Sequence, residues 1–158
     1  NVIVCGQYNS TSLIIYAADG TTSAFTLTNS GGYDAFVVKY DSSGTPVWAR
    51  RLGGTPGVTG FDYANSVSTD SSGNVIVVGE YESDPLIIFA ADGTTSAFTL
   101  ARNSNTDAFV VKYNSSGTPL WAKRIAGTGS DIPYGVSTDS SGNIVVTGKY
   151  TSTSLSFS

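Results

Sequence analysis

Apolar and polar residues alternate along this chain in short bursts bounded by Asp, Asn, Ser and Gly, and no segment carries the period of a helix. Asn74-Val-Ile-Val-Val-Gly-Glu-Tyr81 is β-branched and apolar on both faces, which predicts a strand buried on both sides. Tyr63–Thr69 predicts the strand before it. Asp70-Ser-Ser-Gly73 between them predicts a tight turn, in which Asp bonds back onto the backbone and Gly takes the positive φ. Asp107–Tyr113 and Thr118–Ile125 predict a second strand pair around Asn114-Ser-Ser-Gly117. Pro119 puts the last of these at an edge, where a missing N–H is harmless. Pro85–Leu100, turning at Ala91-Asp92-Gly93-Thr94, reads as an inserted hairpin that either extends the sheet or projects from it.

The whole pattern recurs. Residues 1–53 return almost unchanged at 74–126, an offset of 73 (Asn1 to Asn74), and a third copy opens at Asn143, an offset of 69 from Asn74. The four-residue difference lies in one loop, Gly53–Ser66 against Ala126–Gly135. Fixed-period repetition implies stacked units that bury their faces against one another. Four antiparallel strands in meander order form the blade of a β-propeller. The expected fold is therefore all-β: tandem four-stranded, blade-like repeats, about two and a quarter of them, each with an inserted hairpin. A closed ring and a linear fibre both remain open. The expected divisions are a partial repeat at 1–60, a complete repeat at 61–131 and the start of a third at 132–158.

The strings Asp34-Ala-Phe-Val-Val-Lys-Tyr-Asp-Ser-Ser-Gly44, Thr45-Pro-Val-Trp-Ala-Arg50 and Val67-Ser-Thr-Asp-Ser-Ser-Gly-Asn-Val-Ile-Val-Val-Gly79 resemble the SBBP family of seven-bladed β-propeller repeats. The resemblance covers the whole chain and implies a secreted or surface protein of adhesin-like character. The hairpins Leu13–Leu27 and Leu86–Leu100 look like an elaboration of the shorter family unit.

Charged residues make up only 13% of the chain, against roughly 25% in a typical soluble domain. Ser, Thr and Gly fill the gap, which suits a turn-rich extracellular protein. Eight basic and twelve acidic residues give a net charge of −4. No basic cluster exceeds Arg50-Arg51 and Lys123-Arg124, so the footprint of nucleic-acid binding is missing. No apolar run approaches the roughly 20 residues needed to span a bilayer as a helix. The lack of Met, and a first residue that falls inside a strand, suggest a segment of a longer protein.

Histidine is absent, and with it Ser-His-Asp triads, His metal sites and the usual general base. One cysteine excludes thiolate zinc sites. Cys5 occupies a slot filled by Val78 and Thr147, so it reads as a small buried strand position. Asp34 and Asp107 recur with the repeat, which favours a structural part: a capped strand start, or an ion pair with Arg50 or Lys123. Glu80, Glu82 and Asp84 replace Gln7, Asn9 and Thr11 and read as a solvated strand exit. The Asp-Ser-Ser-Gly turns lack the alternating acidic ligands of a calcium loop. No catalytic residue, metal ligand or cofactor is expected.

Two groups remain as candidate sites. Trp48 and Trp121, in equivalent fourth strands, either pack repeat against repeat or serve as ligand platforms, with Tyr8, Tyr81 and Tyr150 nearby. Asn9-Ser-Thr11 and Asn114-Ser-Ser116 are sequons, which makes Asn9 and Asn114 candidate glycosylation sites at exposed turns or strand exits. The expected function is that of a non-catalytic, extracellular or cell-surface structural and adhesive module. Its partners would be neighbouring repeats of the same or identical chains, and cell-surface glycans. A carbohydrate-binding propeller module and a protein-docking platform are the alternatives.

Overall fold

The turn chemistry is realised at every predicted position. In the computed structural model, which describes residues 1–103 and 105–158, the Asp41 carboxylate accepts from Ser43 N and Thr45 N. Asp70, Asn114 and Asp139 accept from the equivalent amides of their own turns. Gly44, Gly73, Gly117 and Gly142 close these turns at positive φ, a conformation that only glycine adopts without cost.

The described residues form fourteen strands and contain no helix. Repeat 1 holds β1 (Val2–Tyr8), β2 (Ser12–Tyr16), β3 (Ser23–Thr28), β4 (Gly32–Tyr40) and β5 (Pro46–Gly53). Repeat 2 holds β6 (Gly60–Thr69), β7 (Val75–Tyr81), β8 (Leu86–Phe89), β9 (Ser96–Leu100), β10 (Asp107–Tyr113) and β11 (Pro119–Ala126). Repeat 3 opens with β12 (Asp131–Thr138), β13 (Ile144–Tyr150) and β14 (Ser156–Phe157). The expected meander is present in repeat 2 as β6-β7-β10-β11, all antiparallel. In repeat 1 it is β1-β4-β5 and in repeat 3 β12-β13. The first strand of repeat 2 begins at Gly60, three residues earlier than its sequence pattern indicates, because Gly60 and Phe61 bridge in parallel to Gly32 and Tyr33 of repeat 1.

The inserted hairpin of repeat 2 extends a sheet, and the sheet is that of the preceding repeat, whereas β2–β3 of repeat 1 forms a two-stranded sheet of its own. β8 pairs with β5 (Leu52 with Ile88, Gly53 with Ile87), so the hairpin of repeat 2 adds two strands outside repeat 1. β14 pairs with β11 in the equivalent register, Ile125 with Phe157 and Ala126 with Ser156. Pro119 accordingly lies on a stretch of β11 whose outer edge carries no strand pairing.

The core sits between the sheets. One face of repeat 1, with Ala35, Val37, Trp48 and Leu52, meets one face of repeat 2, with Val75, Val77, Phe109, Val111 and Tyr113. Leu86 and Ile88 of the hairpin close the outer end of this junction, and both are fully buried. Burying side chains of this size contributes on the order of 1.5–3 kcal/mol each before ordering entropy is subtracted. The opposite face of repeat 2, with Ile76, Val78 and Val110, packs on Val136, Ile144 and Val146 of repeat 3. β2–β3 covers the outer face of repeat 1 through Ile15 and Leu27 against Tyr8, Val38 and Ala49.

Candidate functional site

The junction between repeats carries the chain's concentration of buried polar chemistry, and the strand register explains how. Val37 faces Arg50 and Phe36 faces Arg51 across β4–β5, so the two arginines leave the sheet on opposite faces. The ion pair of Asp34 is consequently with Arg51, at 2.9 Å, and not with Arg50 as the sequence suggested. Arg51 also donates to Ser30 Oγ and lies over the Phe89 ring of the clasping hairpin, 3.9 Å from its centroid. Arg50 instead donates from Nε to Gly117 O at 2.7 Å, reaching the β10–β11 turn of repeat 2. Asp107, the repeat equivalent of Asp34, has Arg124 and, with a smaller effect, Arg102 as cationic neighbours; Lys123 is exposed.

Each junction also holds an Asp–Ser clamp. Asp62, fully buried, accepts from Ser83 Oγ at 2.6 Å and from the amides of Glu82 and Ser83. Asp131 and Ser152 repeat the arrangement. Burial drives the Asp62 carboxyl up to about 6, against the pull of its Ser83 hydrogen bonds. Asp107 is pushed up by the same cause. Asp62 and Asp131 tie the first strand of one repeat to the hairpin root, whereas Asp107 accepts from Asn103 N at the start of β10. Among the described residues no group of three or more His, Cys, Asp or Glu side chains is placed to hold a metal.

The two tryptophans prove unequal. Trp48 is 3% exposed: its Nε1 donates to Ser115 O at 3.1 Å, its ring lies 5.9 Å from that of Tyr113, and the Arg50 guanidinium sits over it. Lys39 Nζ donates to the same Ser115 carbonyl. Trp121 is half-buried and lines a trough of ≈ 660 Å³ with Val110, Ile125, Ile144, Val146 and Phe157. Of the nearby tyrosines, Tyr8 and Tyr81 are buried, Tyr81 donating to Ala101 O, and only Tyr150 is exposed. Asn9 is exposed beyond β1. Asn114 is half-buried, its side-chain oxygen held by Ser116 N and Thr118 N in a turn that packs on Trp48, which is not the open turn its sequence suggests. Cys5 is a free, half-buried thiol against the junction core, and burial raises its pKa.

One constellation escaped the sequence reading. Tyr33, Phe61 and Tyr63 cluster with ring centroids 5.6–6.4 Å apart, and Phe61 is 45% exposed. Glu80 and Glu82 lie close enough to raise the Tyr63 hydroxyl pKa, behind the larger effects of burial and of Tyr33. Glu80 and Glu82 are half-buried, so only Asp84 of the three acids is on an open surface. The signal was present as departure from the repeat: the equivalent positions carry Thr106, Ser130 and Ile132.

Comparison with known proteins places this geometry. Residues 120–153, spanning β11 to the end of β13, match the SBBP family, described as a β-propeller repeat. The chain carries an SBBP-type propeller repeat. It is also 30% identical over 99% of its length to the "Uncharacterized WD repeat-containing protein L264" of Acanthamoeba polyphaga mimivirus. A second match, 30% identical over 84% of the chain, is the "Regulatory protein FlaEY" of Caulobacter vibrioides. The chain spans 11% and 13% of these two proteins. The Asp–Ser clamp of Asp131 and Ser152 and the tight turn at Asp139 lie inside the matched SBBP segment.

Proposed function

We propose that this chain is a non-catalytic structural module of an extracellular repeat array, in which each SBBP-type repeat holds its neighbour and leaves loop ends free for contact. The observation that carries the reading is the recurrence of one junction in one register: Leu52 with Ile88, then Ile125 with Phe157. Polar side chains that a catalytic reading would need are consumed in holding that junction, Asp34 by Arg51 and Asp62 by Ser83. The scarcity of charge and abundance of Ser, Thr and Gly support an extracellular setting. The test is Trp121→Ala followed by two readouts. The structural reading predicts lost thermal stability and no glycan binding by either protein on a glycan array. Glycan binding that vanishes in the variant at unchanged melting temperature would replace it with a lectin.

A protein-docking role is the second reading, and the exposed Tyr33–Phe61–Tyr63 cluster favours it. The WD-repeat description of the mimivirus relative points the same way. Installing the residues found at the equivalent repeat positions (Tyr33→Thr, Phe61→Ser, Tyr63→Ile) should abolish partner binding while the fold persists. Retained binding would remove the cluster from consideration.

A further inference from the structure

Departures from the repeat converge on one place inside the chain, where the start of β4 meets the start of β6. Tyr33, Phe61 and Tyr63 stand there in slots that hold Thr106, Ser130 and Ile132 one repeat on. Glu80 and Glu82 occupy the slots of Gln7 and Asn9 in repeat 1 and of Lys149 and Thr151 in repeat 3. The longer Gly53–Ser66 loop falls here too: Gly57 N donates to Ser30 O at 2.7 Å, and Val58 is left 45% exposed. Strand pairing explains the grouping. Tyr33 bridges Phe61 in parallel, and Tyr63 faces Glu80 across β6–β7. One step on, Glu82 N donates to Phe61 O at 3.1 Å, so two rings on β6 lie beside two carboxylates on β7. Such cross-strand partners have Cβ atoms about 4.5–5.5 Å apart.

Neither glutamate belongs to an ion pair among the described residues. The carboxylates acting on Tyr63 are Glu82, Glu80 and Asp62. Burial and, with a smaller effect, Glu82 raise the Glu80 carboxyl against a hydrogen bond from Asn65. Open ring faces beside negative charge of this kind are complementary to a cation, which both the ring quadrupoles and the carboxylates attract. A neutral sugar would cover the rings and leave the charge uncompensated. The fold itself already pairs guanidinium with ring, Arg51 over Phe89 at 3.9 Å and Arg50 over Trp48 at 5.6 Å. From this complementarity we infer that the Tyr33–Phe61–Tyr63 cluster and its two glutamates bind an arginine-bearing basic segment of a partner protein. This partner chemistry rests on the docking reading above and deepens it. The guanidinium plane stacks on an open ring while its N–H groups reach the carboxylates, a combination that a lysine ammonium does not reproduce.

Fluorescence anisotropy of labelled octa-arginine tests this at about 0.15 M salt, where exposed charges more than about 8 Å apart are largely screened. Tyr33→Thr with Phe61→Ser removes ring faces at constant net charge, and Glu80→Gln with Glu82→Gln removes the carboxylates. Asp19→Asn with Asp92→Asn removes the same charge at two exposed hairpin turns. Each of the first two pairs should weaken binding about tenfold, the loss of two cation–ring contacts or two partly exposed charge contacts. The turn variant should bind as the wild type does, and octa-lysine should bind more weakly than octa-arginine. Circular dichroism checks folding; if the aromatic variant does not fold, the glutamate pair set against the turn pair decides the matter. Four results would each overturn the inference: no binding of octa-arginine, equal binding by the folded aromatic variant, equal losses in the glutamate and turn variants, or octa-lysine bound as tightly. Any of them leaves the docking reading to its own triple variant, whose retained partner binding would remove the cluster altogether.

Discussion

Trp48→Ala separates a junction side chain from its half-covered repeat equivalent. A buried indole removes about 200 Å² from water, worth about 5 kcal/mol at roughly 25 cal/mol per Å². Alanine retains part of that area, so the expected loss is about 4 kcal/mol, inside the 3–5 kcal/mol usual for large aromatic deletions. The lost Nε1 hydrogen bond adds little, because Ser115 O still accepts from Lys39. Trp121 is only half-buried, and the same argument gives Trp121→Ala about 2 kcal/mol. The assay is urea unfolding followed by far-ultraviolet circular dichroism. With an m-value of about 2 kcal/mol/M, Trp48→Ala should lower the midpoint by about 2 M and Trp121→Ala by about half as much. Equal losses, or a Trp48→Ala loss under about 1 kcal/mol, would refute the argument that the central junction buries what the outer face leaves open.

Other consequences are independent of that ring. Asp62 titrates near 6 in the fold, against 3.8 as its ordinary value. The folded state therefore holds the proton more tightly, and the stabilisation present below about pH 4 is lost as pH rises through about 6, by about 3 kcal/mol. In Asp62→Asn that decline should be absent from stability measured across this range; a wild type whose stability does not fall relative to the variant contradicts it. Gly79→Ala should cost more than about 3 kcal/mol, since a Cβ there would sit 1.9 Å from Tyr63 O. Gly6→Ala, in the same slot of repeat 1, meets only the Phe36 ring at 3.1 Å and should cost under about 1 kcal/mol by urea unfolding; the reverse order would break the argument. Ile88→Ala should cost about 2–5 kcal/mol and speed amide exchange across Leu86–Leu100 more than elsewhere, whereas uniform acceleration would deny the hairpin its local role as a clasp.

What could be read from the residues was whatever chemistry is local. Asp-Ser-Ser-Gly and Asn-Ser-Ser-Gly fix their turns through side-chain contacts two and four residues away, so the strands between them fell into place. The destination of the inserted hairpin depends on a neighbouring repeat, and nothing within Leu86–Leu100 states that its partner is Leu52 rather than its own sheet. The choice of Arg51 over Arg50 for Asp34 rests on strand parity, and a one-residue difference in facing sends adjacent side chains to opposite sides. The inequality of Trp48 and Trp121 was invisible because Pro46–Leu52 and Pro119–Ile125 are closely similar in sequence while their neighbours in the fold differ. The aromatic cluster was legible only as a failure to repeat, at Tyr33, Phe61 and Tyr63.

The central claim, that β8 and β14 clasp the preceding repeat in one recurring register, is tested most directly by engineered disulfides. In a Cys5→Ser background, paired antiparallel residues lie about 4.5–5.5 Å apart at Cα, within disulfide reach. Leu52→Cys with Ile88→Cys, and separately Ile125→Cys with Phe157→Cys, should each oxidise to an intrachain bond seen as a mass loss and a mobility shift. Leu52→Cys with Phe157→Cys should not. Crosslinking confined to the mismatched pair, or absent from both matched pairs in folded protein, would contradict the account.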